Sequence, residues 1–381
     1  MEIFIKSNRK CTVDIFKKYD LKKVINASGK MTILGVSKVS DKVAEMQKIA
    51  GQNFFEMEDL KIKIGKYIAN LLEVEAATVV SSASAGIVQS VAALIGKGDN
   101  YHLMHPYTDR IEKREIVIPK GHNVNYGTSV ELMIEQGGGI VVEAGYSNQC
   151  SAEQVEMQIT DNTAALMYIK SHHSVQKSIL SVSDMITVSR KYSIPLIVDA
   201  AAEEDLNLYY NLGADIVIYS GAKGIEGPSS GLLVGKNPYI QWVQAQSNGI
   251  GRSMKIGKDN IFGITVALEE YVKNGTETGE SQKNRLNPFV ENLNNIKGIK
   301  ATIVQDGAGR DIFRAKVEIG SDKISAKKIV DLLKTGEVAI YTREYNVNNG
   351  IIEFDIRSVN QEEMDIIYKR LKNIMEDCVH E

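Results

Sequence analysis

Cysteine is nearly missing from this 381-residue chain: Cys11, Cys150 and Cys378 are its only three, far apart and without a CxxC pair. That spacing excludes a disulfide framework and a zinc knuckle. Proline is scarce too, at 6 against 31 glycines, a balance that suits tight turns between regular elements better than disorder. No apolar run approaches the roughly 18 residues of a membrane span, and the opening MEIFIKSNRK lacks the apolar core of a signal peptide. Charge of one sign is also lacking: 45 Lys and Arg against 48 Asp and Glu leave a net −3, which gives no broadly basic surface for nucleic acid. These absences point to a soluble, cytoplasmic enzyme. At about 150 residues per domain it has room for a large domain and a small one.

Within the chain, short apolar runs alternate with segments of helical period. Strands are expected at Thr78–Ser82, Glu115–Pro119, Gly139–Glu143, Ala164–Ile169, Pro195–Asp199, Ala214–Ser220 and Gly231–Gly235. Helices are expected between most of them, as at Gly86–Ile95, Thr128–Gln136 and Ser181–Tyr192. The strand runs are almost continuously apolar, as they are when helices cover both faces of a sheet. The fold class is therefore α/β, with a doubly wound, mostly parallel sheet. The polar stretch VKNGTETGESQKNR after Tyr271 reads as a joint, and strands near Lys300–Val304, Ile312–Ile319, Val338–Tyr341 and Ile351–Ile356 follow it. The expected organisation is an N-terminal arm over 1–45, a large α/β domain over 46–271 and a small α+β domain over 272–381.

Two familiar motifs fail. Gly251–Lys258 (GRSMKIGK) has five residues between its glycines where a phosphate-binding loop has four, and Asp259 stands where Ser or Thr should hold magnesium. The tandem His172 and His173 would point to opposite faces of a strand, so both cannot serve one metal, and no metal site is expected.

Four features fall at the C-terminal ends of expected strands, where open α/β sheets bind ligands. PLIVD ends in Asp199, and ADIVIYSGAKG delivers Ser220 and Lys223. TVVSS runs into SASAG and an apolar helix, bringing Ser82, Ser84 and Ala85 to a helix N-terminus. REIVIP is followed by His122. Each also has an ordinary reading, as an N-cap, a surface lysine, a Ser cap and a core histidine. Together they fit pyridoxal 5′-phosphate. Lys223 can take its aldehyde, while Ser82, Ser84, Ala85 and Ser220 can hold its phosphate. Asp199 can hold a proton on its ring nitrogen, and His122 can lie against its ring. Asp199 and Lys223 are 24 residues apart, one strand–helix–strand step.

The stretches VINASGKMTILG (Val24–Gly35), KGHNVNYG (Lys120–Gly127), VDAAAEEDL (Val198–Leu206), YSGAKGIEGPSSGLLVGK (Tyr219–Lys236) and GRSMKIGKDNIFG (Gly251–Gly263) carry a family resemblance. The chain resembles the selenocysteine-synthase-related group of fold-type I pyridoxal-phosphate enzymes. That group includes seryl-tRNA selenium transferases and ammonia-lyases of the D-glucosaminate-6-phosphate type. The resemblance implies that Lys223 is the Schiff-base lysine and Asp199 the partner of the ring nitrogen. It also implies that His122 stacks on the ring and that His172 contacts the cofactor or substrate. Arg357 in IIEFDIRSV resembles a small-domain arginine that grips a substrate carboxylate, and it reads equally well as a strand-edge arginine. Arg252, Lys255 and Lys258 could meet a substrate phosphate, meet a partner subunit or form a solvated face.

The tRNA-dependent members carry an additional N-terminal RNA-binding region, where this chain has only a short arm. With a net charge of −3, a small amino acid or amino-sugar acid is therefore the expected partner and tRNA is not. The expected reaction is elimination of water and ammonia from a phosphorylated 2-amino-3-hydroxy acid to give a 2-keto-3-deoxy acid. Its alternative is β-replacement on seryl-tRNA. A homodimer or larger homo-oligomer is expected, as in other fold-type I enzymes.

Overall fold

The structure is a computed structural model that describes residues 14–171, 173–307 and 310–380. It divides into two units. Gly35–Thr276 forms the larger, and residues up to Leu34 together with those from Glu277 onward form the smaller.

The larger unit is built on a sheet of seven strands: β2 (Ala76–Val80), β3 (Glu115–Pro119), β4 (Ile140–Ala144), β5 (Thr163–Ile169), β6 (Leu196–Asp199), β7 (Ile216–Ser220) and β8 (Gly231–Gly235). Their spatial order is β2-β8-β7-β6-β5-β3-β4. The run from β7 to β4 is parallel, while β8 is antiparallel to both of its neighbours. All seven residues of β5 and all four of β6 are buried, which accounts for their unbroken apolar reading.

Alternation along each strand divides the core in two. Leu166, Tyr168, Leu196, Val198, Val217 and Tyr219 face one side. There they meet helices Asp41–Gly51, Met57–Leu71, Val182–Tyr192 and Lys258–Asn274. Met167, Ile169, Ile197, Ile216 and Ile218 face the other side, under helices Ala83–Gly96 and Val130–Gln136. Asp199 follows Ile197 by two residues and Ser220 follows Ile218 by two. Both polar groups therefore continue the face covered by Ala83–Gly96, one step beyond its apolar core.

The smaller unit holds an antiparallel sheet of order β12-β10-β9, with β9 at Ile299–Gln305, β10 at Phe313–Ile319 and β12 at Ile351–Phe354. A separate parallel pair joins β1 (Lys23–Ala27) to β11 (Val338–Thr342) in register from Lys23↔Val338 to Ala27↔Thr342. Residues expected in an arm thus form a strand of the smaller unit, while Gly35 onward, including helix Asp41–Gly51, belongs to the larger one. Five residues of strand are too short to show a period, and burial at Ile25 and Ala27 comes from packing with Phe289, Ile340 and Phe354. The division between units falls within the polar stretch after Tyr271, yet the second half of that stretch is helical, in Gly279–Asn294. Thr278 caps this helix by accepting from the Ser281 N–H at 3.2 Å.

Ile25 has no exposed surface, so Ile25→Ala should remove about 3 kcal/mol of stability from the smaller unit. Urea unfolding followed by a probe in that unit measures this. A loss below about 0.5 kcal/mol would mean that the N-terminal strand is not part of its core.

Candidate functional site

The C-terminal ends of β2, β6 and β7 and the start of β8 lie at one edge of the sheet. Val80 and Ser220 flank Gly231 on either side. A Cβ on Gly231 would sit 2.5 Å from the Ser82 carbonyl oxygen and 2.9 Å from the Ala83 nitrogen. Only glycine lets β8 pass this close beneath the start of helix Ala83–Gly96. Ser82 is the N-cap, and its Oγ accepts from the Ala85 N–H at 3.0 Å, while the Gly86 N–H donates to the Ser82 carbonyl at 3.0 Å. The amide expected of Ala85 at a phosphate is thus already used by the cap. Ala83 and Ser84, in the first helical turn, keep the amides that can face an anion, and Ser84 and Ser220 are half-buried beside that edge.

Asp199 ends β6 with 4% of its surface exposed. The Ala201 N–H donates to its Oδ1 at 3.1 Å and the Tyr126 hydroxyl to its Oδ2 at 3.3 Å. Burial pushes its carboxyl pKa up, opposed by the Lys223 ammonium and by these two donors. Lys223 is half-buried in a turn closed by main-chain bonds. Its own N–H donates to Ser220 at 3.2 Å, and the Gly227 N–H donates to Gly221 at 2.7 Å. A Cβ on Gly221 would lie 2.1 Å from Ser230 Oγ and 2.6 Å from Ile264 Cδ1, so the glycine before Ala222 sets the path of this turn. The structure therefore brings Asp199, Lys223, Ser220 and the start of helix Ala83–Gly96 together at one edge.

His122 lies in a one-turn segment after β3 and is wholly buried. Its Nε2 is 3.0 Å from the Val175 carbonyl oxygen, which can only accept, and the Ile169 N–H donates to its Nδ1 at 3.4 Å. These two partners fix the neutral tautomer with the proton on Nε2. Tyr168 packs edge-on at 4.4 Å between centroids, and burial pulls the imidazole pKa down to about 4. Both nitrogens are committed to main chain, which leaves His122 no ring nitrogen for proton transfer and bears only on its edges, not on the ring face expected to stack.

His172 falls outside the described residues. Its neighbour His173 feels the charge of Lys223, which lowers its pKa further after burial has done so, and its ring lies 6.3 Å from that of Tyr126. The sequence does not single out Tyr126, and it raises His173 only as half of a rejected metal pair. The signal for Tyr126 was its place in KGHNVNYG, and for His173 its place in the tandem pair.

Arg252 and Lys255 are exposed. Their segment is held to helix Ala83–Gly96 by Ser81 Oγ, which donates to the Met254 carbonyl at 2.8 Å, and by Gly251, which packs on Gln89. Arg252 also faces Lys61, whose pKa is lowered by burial first and by this guanidinium second. Lys258 instead donates to the Asn53 carbonyl and lies over the Phe54 ring. In the smaller unit, Arg357 Nε and Nη2 donate to Asp355 Oδ1 and Oδ2 at 3.0 and 2.9 Å. Asp355 is fully buried. Burial opposes its ionisation, yet Arg357 and Arg314 hold its carboxyl below the usual range.

A family described as "SelA: L-seryl-tRNA selenium transferase" matches residues 24–305. The D-glucosaminate-6-phosphate ammonia lyase of Salmonella typhimurium (strain 14028s / SGSC 2262) is 42% identical over 367 residues, 96% of this chain and 99% of that protein. A 5′-C-glycyluridine monooxygenase-decarboxylase of Streptomyces sp is 32% identical over 359 residues, 93% of this chain and 90% of that one. A solved D-glucosaminate-6-phosphate ammonia-lyase structure is similar at a TM-score of 0.91 and 42% identity, covering 97% of this chain and 100% of that chain. The large mixed sheet and small antiparallel one are those of fold-type I pyridoxal-phosphate enzymes. With that match spanning residues 24–305, the chain belongs to the L-seryl-tRNA selenium transferase family.

Proposed function

We propose that this protein is a pyridoxal-phosphate-dependent ammonia-lyase acting on a phosphorylated 2-amino-3-hydroxy acid of the D-glucosaminate 6-phosphate kind. The observation that carries this reading is the near full-length similarity, at 42% identity, to an ammonia lyase of that specificity. The residues present fit the cofactor. Burial disfavours the Asp199 anion and only two donors among the described residues reach it, so a protonated ring nitrogen suits this carboxylate as a partner. The amides of Ala83 and Ser84 and the hydroxyl of Ser220 suit its phosphate.

Pyridoxal 5′-phosphate, when bound, supplies an aldehyde for an amine and a ring that draws off the electron pair left at the substrate Cα. Lys223 would hold it through its amine, and that amine, when free, would take the substrate Cα proton. Asp199 keeps the ring nitrogen protonated, and Tyr126 keeps Asp199 oriented. His173 gives a proton to the departing β-hydroxyl, so that water leaves. The enamine released then takes up water and yields the 2-keto-3-deoxy acid and ammonia. Arg252 and Lys255, together with Lys61, hold the substrate phosphate. His122 serves as a fixed wall.

The alternative is β-replacement on an aminoacyl-tRNA, which the description of the matched family favours. The two readings differ in ionic behaviour. Binding of tRNA through many phosphates would fall steeply with salt. A small phosphorylated acid needs only a few cationic anchors.

Three outcomes test these assignments. Borohydride treatment of the isolated protein should fix a pyridoxyl group on the peptide carrying Lys223, and mass spectrometry that finds it on another lysine overturns the cluster. Ammonia release should be at least about tenfold more efficient with the phosphorylated acid than with the unphosphorylated one, a ratio that Arg252→Ala should shrink. Equal rates would remove phosphate recognition, and salt-sensitive tRNA binding with no ammonia release would favour the transferase. The third outcome concerns pH. The folded His122 pKa near 4 lies below its unfolded value of about 6.5, so the unfolded state binds more protons between them and stability falls as pH drops through that window. Urea unfolding should show a loss of about 3 kcal/mol near pH 4 that His122→Gln lacks. Parallel pH profiles of the two proteins would mean that His122 is not held neutral.

A further inference from the structure

The smaller unit contains a cavity of about 150 Å³ that shares no residue with the Asp199–Lys223 cluster. Gln305, Asp306, Arg314, Arg343, Asn346 and Glu353 are among the residues that line it. Its wall is the end of a buried chain of ion pairs. Arg310 Nε meets Asp306 Oδ2 at 3.0 Å, and Arg314 Nη1 meets Asp306 Oδ1 at 2.8 Å. Arg314 Nε then meets Asp355 Oδ2 at 3.1 Å, and Asp355 holds Arg357. Arg343 comes from the strand edge opposite, where its N–H donates to the Glu353 carbonyl at 2.9 Å and its guanidinium lies over the Tyr345 ring.

Two features of this wall select a ligand. First, among the described residues Arg343 Nε is removed from solvent and has no hydrogen-bond acceptor: Glu353 Oε2 is 3.5 Å away, near enough to attract but too far to bond well. Second, burial and then the Arg314 charge both lower the Arg343 pKa, so an added anion would favour the charged guanidinium. Asn346 supplies a neutral amide that can bond to a polar guest. An apolar cavity of this size holds a benzene-sized molecule, so this one suits a guest of about six heavy atoms or fewer.

We propose that this cavity is a binding site for a small anion, a carboxylate or a phosphate, held between Arg314 and Arg343. The site stands on the smaller unit's own geometry and does not depend on the reaction assigned above.

Calorimetric titration of the full chain loaded with pyridoxal phosphate, so that its phosphate cup is filled, tests this with acetate and with inorganic phosphate at ionic strength matched by chloride. One saturable site for either anion is expected, and the anion that binds identifies the ligand class. Arg343→Gln should weaken binding at least about tenfold. Asn346→Asp, on the exposed rim, should weaken it without touching the buried ion pairs, and it decides the matter if Arg343→Gln does not fold. The proposal fails if neither anion saturates, or if both variants bind as the wild type does.

Discussion

A carboxylate taken out of water at the end of a buried strand is the constraint on which the larger unit depends. Asp199 continues the apolar face of Ile197 by one more step, to the point where the sheet ends and a polar group can find partners. Its two donors among the described residues, the Ala201 amide and the Tyr126 hydroxyl, are fewer than a buried carboxylate can accept from, and burial still pushes its pKa up. Lys223 supplies the opposing charge from the neighbouring strand's turn. Much of the local backbone follows from keeping that turn tight: Gly221 leaves room for Ser230 and Ile264, and Gly231 lets β8 slip beneath the helix that Ser82 caps.

Much of this unit was legible because its chemistry sits at the ends of elements whose sequence signal is strong. The parallel strands are covered on both faces and so read as unbroken apolar runs, and strand ends are where polar residues resume. Asp199, Ser220 and Lys223 stand out in the sequence for that reason. His122 was placed correctly after β3, but whether a histidine faces a ligand or the core depends on partners distant in sequence. Val175 and Ile169 decide that here. Ala85 illustrates a finer limit. Its position at a helix start was visible, while the use of its amide by Ser82 is a matter of cap geometry. Tyr126 and His173 lie on loops without a period, and only the path of those loops brings the first to Asp199 and the second into the field of Lys223.

The N-terminal strand was illegible for another reason. VINAS is too short for alternation to stand out, and its burial is conferred by β11, more than 300 residues away in the chain. Packing between distant segments also explains the helix Gly279–Asn294, whose polar start reads as a joint. Its cap at Thr278 and its buried Gln282, Leu286 and Phe289 make it part of the smaller unit's core. Local composition describes the surface of such a helix and misses its buried stripe.

In the smaller unit compensation runs through side chains instead of main-chain donors, and this bears on what Arg357 can do. Its Nε–Nη2 edge is committed to Asp355, which is itself held by Arg314. That commitment takes up the side-on fork that gives arginine its strongest pairing. A guanidinium fixed in this way by a buried carboxylate has little freedom left to lose. In the larger unit, by contrast, Arg252 and Lys255 stand exposed to water, where their side chains keep that freedom.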